Sequence, residues 1–206
     1  MNRLGFLAAR TLRNDTALAR LSAPRSDLLD SLAGLNVALI GNARALADTT
    51  HGAAIDAADL VIRINRAPMP APDSHGTRTD WLALATRLSA ADRARINPAR
   101  ILWMSPKRKR LDWITATSPG FYLHPLSDYH RLKDRLGAPP TTGAMLIDLV
   151  LGSDLARLTL YGFDFFASQS LSGRRTAEQV PHDFTSEADW VADRAASDPR
   201  LTLIRP

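Results

Sequence analysis

The stretch "NVALIGNARALADTTHGAAIDAADLVIRINRAP", residues 36–68, decides the fold. It opens with a short apolar run, "NVALIGN" (36–42), that ends in Gly-Asn. A run of this length bounded by turn residues reads as a buried strand and a tight turn. "GAAIDAA" (52–58) reads as a short helix, and "DLVIRIN" (59–65) as a second strand.

The same alternation continues outward. "TDWLALA" (79–85), "RILWMS" (100–105), "GFYLHP" (120–125), "RLTLYGFD" (157–164) and "LTLI" (201–204) are further strands. "LSAADRARI" (88–96), "SDYHRLKDRLG" (127–137, closed by Gly137), "TTGAMLIDLVLGS" (141–153) and "SEADWVADRAAS" (186–197, capped by Thr185 or Ser186) are helices. "RAPMPAPDSHG" (66–76) holds three prolines and is expected to be an irregular loop. "FASQSLSGRRTAEQV" (166–180) is polar and is the expected long loop. Alternating strands and helices predict an α/β, Rossmann-like, mostly parallel sheet with helices on both faces.

Length allows one sizeable domain: 206 residues. We expect it over 31–206, preceded by an amphipathic helical segment over 1–30 whose helix runs from about Leu4 to Leu21. Its apolar run from Leu4 to Ala9 is short and is followed by Arg10 and Arg13, so a secretory signal is not expected. Packing on the core is its expected role, and contact with a membrane surface is the alternative. Cysteine is absent, which rules out disulfides, zinc–thiolate sites and a cysteine nucleophile and suits a cytoplasmic setting. The net charge of +5 favours anionic partners without requiring nucleic acid. "KRKR" (107–110) reads as a solvated basic turn, with attraction to an acidic glycan or anionic lipid as its functional alternative.

Ligands of such sheets bind beyond the carboxyl ends of the strands. That rule selects Gly41 and Asn42, Asn65 and Arg66, and Gly162, Phe163 and Asp164. The helix start Thr141-Thr142-Gly143 joins them if it faces the same edge, because free N–H groups and the helix dipole attract an anion. Gly143 would let the backbone come close to that ligand. "VALIGNARAL" has one glycine where a dinucleotide fingerprint needs three.

As a set, three segments resemble the sialyltransferases, glycosyltransferase family 29. Residues 36–68 are similar to the family's long motif, "TTGAMLIDLVLGSDLARLTLYGFDF" (141–165) to its short motif, and "HDFTSE" (182–187) to its very short motif. The resemblance implies a GT-A-like sialyltransferase variant of the fold. It implies an inverting, metal-independent transferase that moves sialic acid from a CMP-sugar donor to a glycan hydroxyl. Another CMP-sugar such as CMP-Kdo, or a CMP-binding module without transfer, is the alternative. No metal or other cofactor is expected, since the chain has no Asp-x-Asp pair.

The resemblance implies donor contacts from Gly41, Asn42, Asn65, Arg66, Thr141, Thr142, Gly143, Gly162 and Phe163. It makes His182 the catalytic base and gives Glu187 the task of orienting His182 or of securing its loop to the next helix. Each position also has a plainer reading: turn residue, strand end, helix cap or surface histidine. Two departures stand out. Val37 and a residue near Ser153 occupy the places of the disulfide that links the two motifs in the animal enzymes. Residues 165–181 contain no His or Tyr, so the family's third motif is missing, with Arg174, Arg175 or His124 as candidates for its phosphate contact.

Overall fold

A computed structural model describes residues 1–165 and 181–204. Three short helices lead: α1 (Arg3–Thr11), α2 (Asp15–Ala19) and α3 (Arg25–Asp30). There follow β1 (Asn36–Ile40), α4 (Gly52–Asp56), β2 (Leu60–Ile64), α5 (Pro72–His75), β3 (Trp81–Leu84), α6 (Ala90–Ile96) and β4 (Arg100–Trp103). Next are α7 (Trp113–Ala116), β5 (Tyr122–Leu123), α8 (Leu126–Leu136), α9 (Thr142–Val150), β6 (Arg157–Tyr161), α10 (Phe184–Ser197) and β7 (Leu201–Ile204).

The strands form one seven-stranded sheet in the order β5-β4-β3-β2-β1-β6-β7. All its pairings are parallel, not merely most of them. Parallel strands must be covered on both faces, which explains their near-continuous apolar runs. One face carries the largest core cluster, where Val37, Leu39, Ile62 and Leu160 meet α9 and α10. The other face carries two clusters. Leu82, Leu84, Ile101 and Trp103 pack with Phe6 and Leu18 of the leading helices, and Ala38, Ile40 and Val61 pack with Ile55 and Tyr161.

Helix α9 is almost wholly buried, from Thr142 to Val150 with Asp148 as the exception. Each buried Leu or Ile side chain there stabilises the fold by about 1.5–3 kcal/mol. Asp148 turns outward to Arg131 of α8 at 2.9 Å. Val37 and Ser153 are both buried, Val37 within the main apolar cluster.

Several local expectations need correction. The leading helix does not run unbroken to Leu21. Arg13 adopts a left-handed φ of +56°, and Asn14 then caps α2 by accepting from the Ala17 N–H at 3.0 Å. A competing cap therefore ends the first helix early. The proline-rich segment is not wholly irregular, because Pro72 sits in the first turn of α5, where its missing N–H costs nothing. Helix α10 starts earlier than expected and is capped by Asp183, which accepts from the Ser186 N–H at 3.0 Å.

The basic run 107–110 is not uniformly solvated either. Arg108 is buried and donates to Asp15 at 2.5 Å, to the Ser105 carbonyl at 2.8 Å and to the His124 carbonyl at 2.6 Å. It thereby ties α2 to the ends of β4 and β5. Among the described residues no helix is long and apolar enough to cross a membrane.

Candidate active site

The chain steps from β1 to β2 on one side of the sheet and from β6 to β7 on the other. The crevice of such a sheet opens where the strand order reverses, between β1 and β6. Here the two turns that follow these strands are joined. The Gly41 N–H donates to the Tyr161 carbonyl at 2.8 Å and the Ala43 N–H to the Gly162 carbonyl at 3.1 Å. A Cβ on Gly41 would lie 2.2 Å from the Gly162 oxygen, so only glycine permits this approach. Above the junction opens a cavity of about 270 Å³.

Of the residues selected from the sequence, Gly41, Asn42, Asn65, Thr141, Thr142, Gly143, Gly162, Phe163, His182 and Glu187 line this cavity. Arg66 does not. It is exposed, and its carbonyl accepts from Arg95 at 2.7 Å.

Asn65 sits in the left-handed region at φ +54°, a conformation asparagine tolerates. Its Oδ1 accepts from the Ala85 N–H at 3.0 Å. That bond fixes the amide, so its Nδ2 donor end lies on the side away from Ala85.

Phe163 explains Gly143 differently from the sequence reading. A Cβ on Gly143 would meet the Phe163 ring at 2.6 Å, and one on Gly41 would meet it at 3.1 Å. The ring is wedged between two glycines and forms one wall of the cavity. The space a side chain at position 143 would take is therefore filled by an aromatic ring.

Thr141 is also engaged within the protein. Its hydroxyl caps α9 by accepting from the Ala144 N–H at 3.1 Å. Its N–H donates to Glu187 Oε1 at 2.6 Å, and its hydroxyl donates to Oε2 at 2.8 Å. Glu187 thus occupies the first polar group of the helix start and couples α9 to α10. These two bonds run neither to His182 nor to its loop; they join α10 to the start of α9. Burial pushes its carboxyl up to about 7, against the lowering effect of the two Thr141 bonds. A carboxyl partly protonated near neutral pH cancels less of the positive field of the helix start, and an anion arriving there favours the protonated form further.

His182 is anchored from the far side of the chain. Its Nδ1 lies 2.7 Å from the Pro139 carbonyl oxygen. A carbonyl can only accept, so Nδ1 carries the proton and Nε2 keeps its lone pair. A neutral imidazole held in this tautomer is equipped to take a proton. The His182 ring leans on Phe184, with centroids 6.0 Å apart.

Several lining residues escaped the sequence reading: Ile64, Ala85, Phe165, Phe184 and Val191. They are apolar, and only their places just past strands or beside His182 hinted at them. His124 lies outside the lining, at the end of β5, four strands from β1. Burial lowers its pKa to about 4. Arg174, Arg175 and the site of the missing third motif fall outside the described residues, as does the long loop expected over 166–180. Among the described residues no cluster of three His, Asp or Glu is placed to hold a metal ion.

The cavity at this switch point can be set beside those of known proteins. Residues 28–120 match the model of glycosyltransferase family 29 (sialyltransferase). A crystal structure of a mammalian sialyltransferase superposes with a TM-score of 0.63 at 19% identity, over 83% of this chain and 69% of that one. A mammalian sialyltransferase in complex with Gal-beta-1-3GalNAc-ortho-nitrophenol gives 0.60 at 18% identity, with the same coverage. The sialyltransferase CST-II in complex with CMP gives 0.57 at 12% identity, over 83% of this chain and 82% of that one. At these identities the likeness is one of fold. No curated protein sequence matches the chain. The chain therefore carries a stretch similar to the sialyltransferase family model, in a fold shared with solved sialyltransferases.

Proposed function

We propose that the protein transfers sialic acid from a CMP donor to a glycan hydroxyl, with inversion and without a metal ion. One observation carries the reading. His182, in the tautomer set by Pro139, shares a single cavity with the Gly41–Gly162 junction and the start of α9. A base and an anion seat stand together at the switch point of the sheet.

In this reading the donor phosphate lies toward the amide of Asn65, beside Asn42, and toward the N–H groups of Thr142 and Gly143. Phe163 and Gly162 flank the nucleoside. A single phosphate needs fewer charges than a diphosphate, and the absence of any Asp-x-Asp pair supports metal-free binding. His182 Nε2 takes the proton of the attacking acceptor hydroxyl. The bond to CMP breaks with its electrons going to phosphate, and the donors around that phosphate stabilise the growing charge. Glu187 acts through Thr141 as a positioning residue. The setting we propose is cytoplasmic, with peripheral contact at the inner face of a membrane.

The test is incubation with CMP-sialic acid and a panel of galactose-terminated acceptors in EDTA, with CMP-Kdo in parallel. Release of CMP coupled to a new sialoside supports the reading. Transfer from CMP-Kdo alone reassigns the donor. CMP binding without any turnover makes the protein a binding module.

A further inference from the structure

Among the described residues, the exposed large apolar side chains are not scattered. They are Met1, Leu4, Leu7, Leu12 and Ile114. Four belong to α1 and its flanks, and Ile114 lies on α7. The two helices are neighbours: the Phe6 and Trp113 rings are 5.4 Å apart, and Arg10 donates to the Leu111 carbonyl at 3.0 Å.

Helix α1 buries Phe6 and Ala9 against the core. Leu4 and Leu7 are three residues apart and therefore share a face, and that face points to solvent. Leu4 is 77% exposed and Leu12 78%. A soluble surface helix places polar groups there. This one presents leucines on its outer side.

The surround is basic. Arg3 and Arg13 are exposed on and just after α1, and Lys107, Lys109 and Arg110 are exposed beside it. The nearby acids do not cancel this charge. Asp15 is taken by buried Arg108, and Asp112 caps α7 by accepting from the Thr115 N–H and hydroxyl. An apolar stripe rimmed by cations is complementary to a lipid surface bearing anionic headgroups.

We propose that α1, α7 and the 107–110 turn form a docking face for an anionic lipid bilayer, with Leu4, Leu7, Leu12 and Ile114 entering the interface. The face stands on the edge of the sheet that carries the cavity. The 107–110 turn follows β4 as the cavity turns follow β1 and β6. Arg87 donates to the Arg110 carbonyl at 3.0 Å, while Ala85, two residues earlier, lines the cavity. Docking therefore brings the cavity's edge of the sheet toward headgroup-level glycans. The link to membrane-borne acceptors rests on the proposed transferase reading, but the lipid binding does not.

The experiment is co-sedimentation of the full chain with vesicles of phosphatidylcholine alone and with about one third phosphatidylglycerol. Binding is expected only to the anionic vesicles and weakens as salt rises. The double variant Leu4→Glu/Leu7→Glu is expected to lose roughly tenfold or more of it, and Lys109→Glu/Arg110→Glu several-fold. All four positions are exposed, so each variant should keep the wild-type melting temperature and CMP affinity. Absence of binding to either vesicle, or binding indifferent to both variants, overturns the proposal. So does a dimer in light scattering that Leu4→Glu/Leu7→Glu dissociates, since a second copy then covers this face. If vesicles bind while CMP does not, the docking face stands and the transferase reading falls.

Discussion

Glu187 holds Thr141 by two hydrogen bonds, 2.6 Å from its N–H and 2.8 Å from its hydroxyl. The two residues lie on different helices, and their contact sets the start of α9 against the start of α10, where His182 precedes the cap. His182 and the start of α9, the proposed base and anion seat, are thereby held in one frame.

This contact has a pH signature. The Glu187 carboxyl is raised from 4.5 to about 7 in the fold, chiefly by burial. The protonated form is favoured in the folded state, so its contribution is fully present at acid pH. It is lost as pH rises from about 4.5 through 7, by about 3 kcal/mol in all. Glu187→Gln removes this slope. Relative to wild type, the variant gains stability between pH 5 and pH 8, as read by urea unfolding at the two values. Glu187→Ala leaves the Thr141 N–H without its partner and costs about 1–3 kcal/mol at pH 5.

His182→Ala lowers turnover by roughly 10²–10⁴-fold and changes CMP affinity little. Steady-state kinetics beside calorimetry separates the two effects. Retained turnover removes His182 from the role of base.

The two glycines beside Phe163 fail in different ways. A methyl at Gly41 collides with backbone at 2.2 Å, so Gly41→Ala destabilises the fold by about 1–3 kcal/mol or more. A methyl at Gly143 meets the Phe163 ring, a side chain, at 2.6 Å. Gly143→Ala therefore moves the ring and weakens CMP binding more than it lowers the melting temperature. Thermal unfolding and CMP titration of both variants check this contrast.

Arg108→Ala costs about 1–3 kcal/mol, because it removes the buried arginine's contact with half-buried Asp15 and leaves the His124 and Ser105 carbonyls short of a donor. Lys109→Ala, on the same run but exposed, changes stability by under about 0.5 kcal/mol. Denaturant midpoints of the two variants test how far one basic run divides into a structural and a surface part.

The sheet was legible because its strands are short apolar runs, and three of them, β1, β2 and β6, run into Gly or Asn, which also marks the crevice. What escaped reading depends on partners distant in sequence. Nothing near Arg108 announces Asp15, and nothing near Glu187 announces Thr141, 46 positions away. The Phe163 wedge was hidden for the same reason: Gly41 and Gly143 are brought to one ring only by the fold. The break at Arg13 was a local contest, in which the Asn14 cap overrode an apolar period that ran past it.

The central claim is a metal-free CMP site at the junction of β1 and β6. The most direct measurement is a calorimetric titration with CMP in EDTA, set against UMP and GMP. The account predicts selective binding of CMP that survives His182→Ala and is weakened by Gly143→Ala. Absence of CMP binding, or equal binding of all three nucleotides, contradicts it.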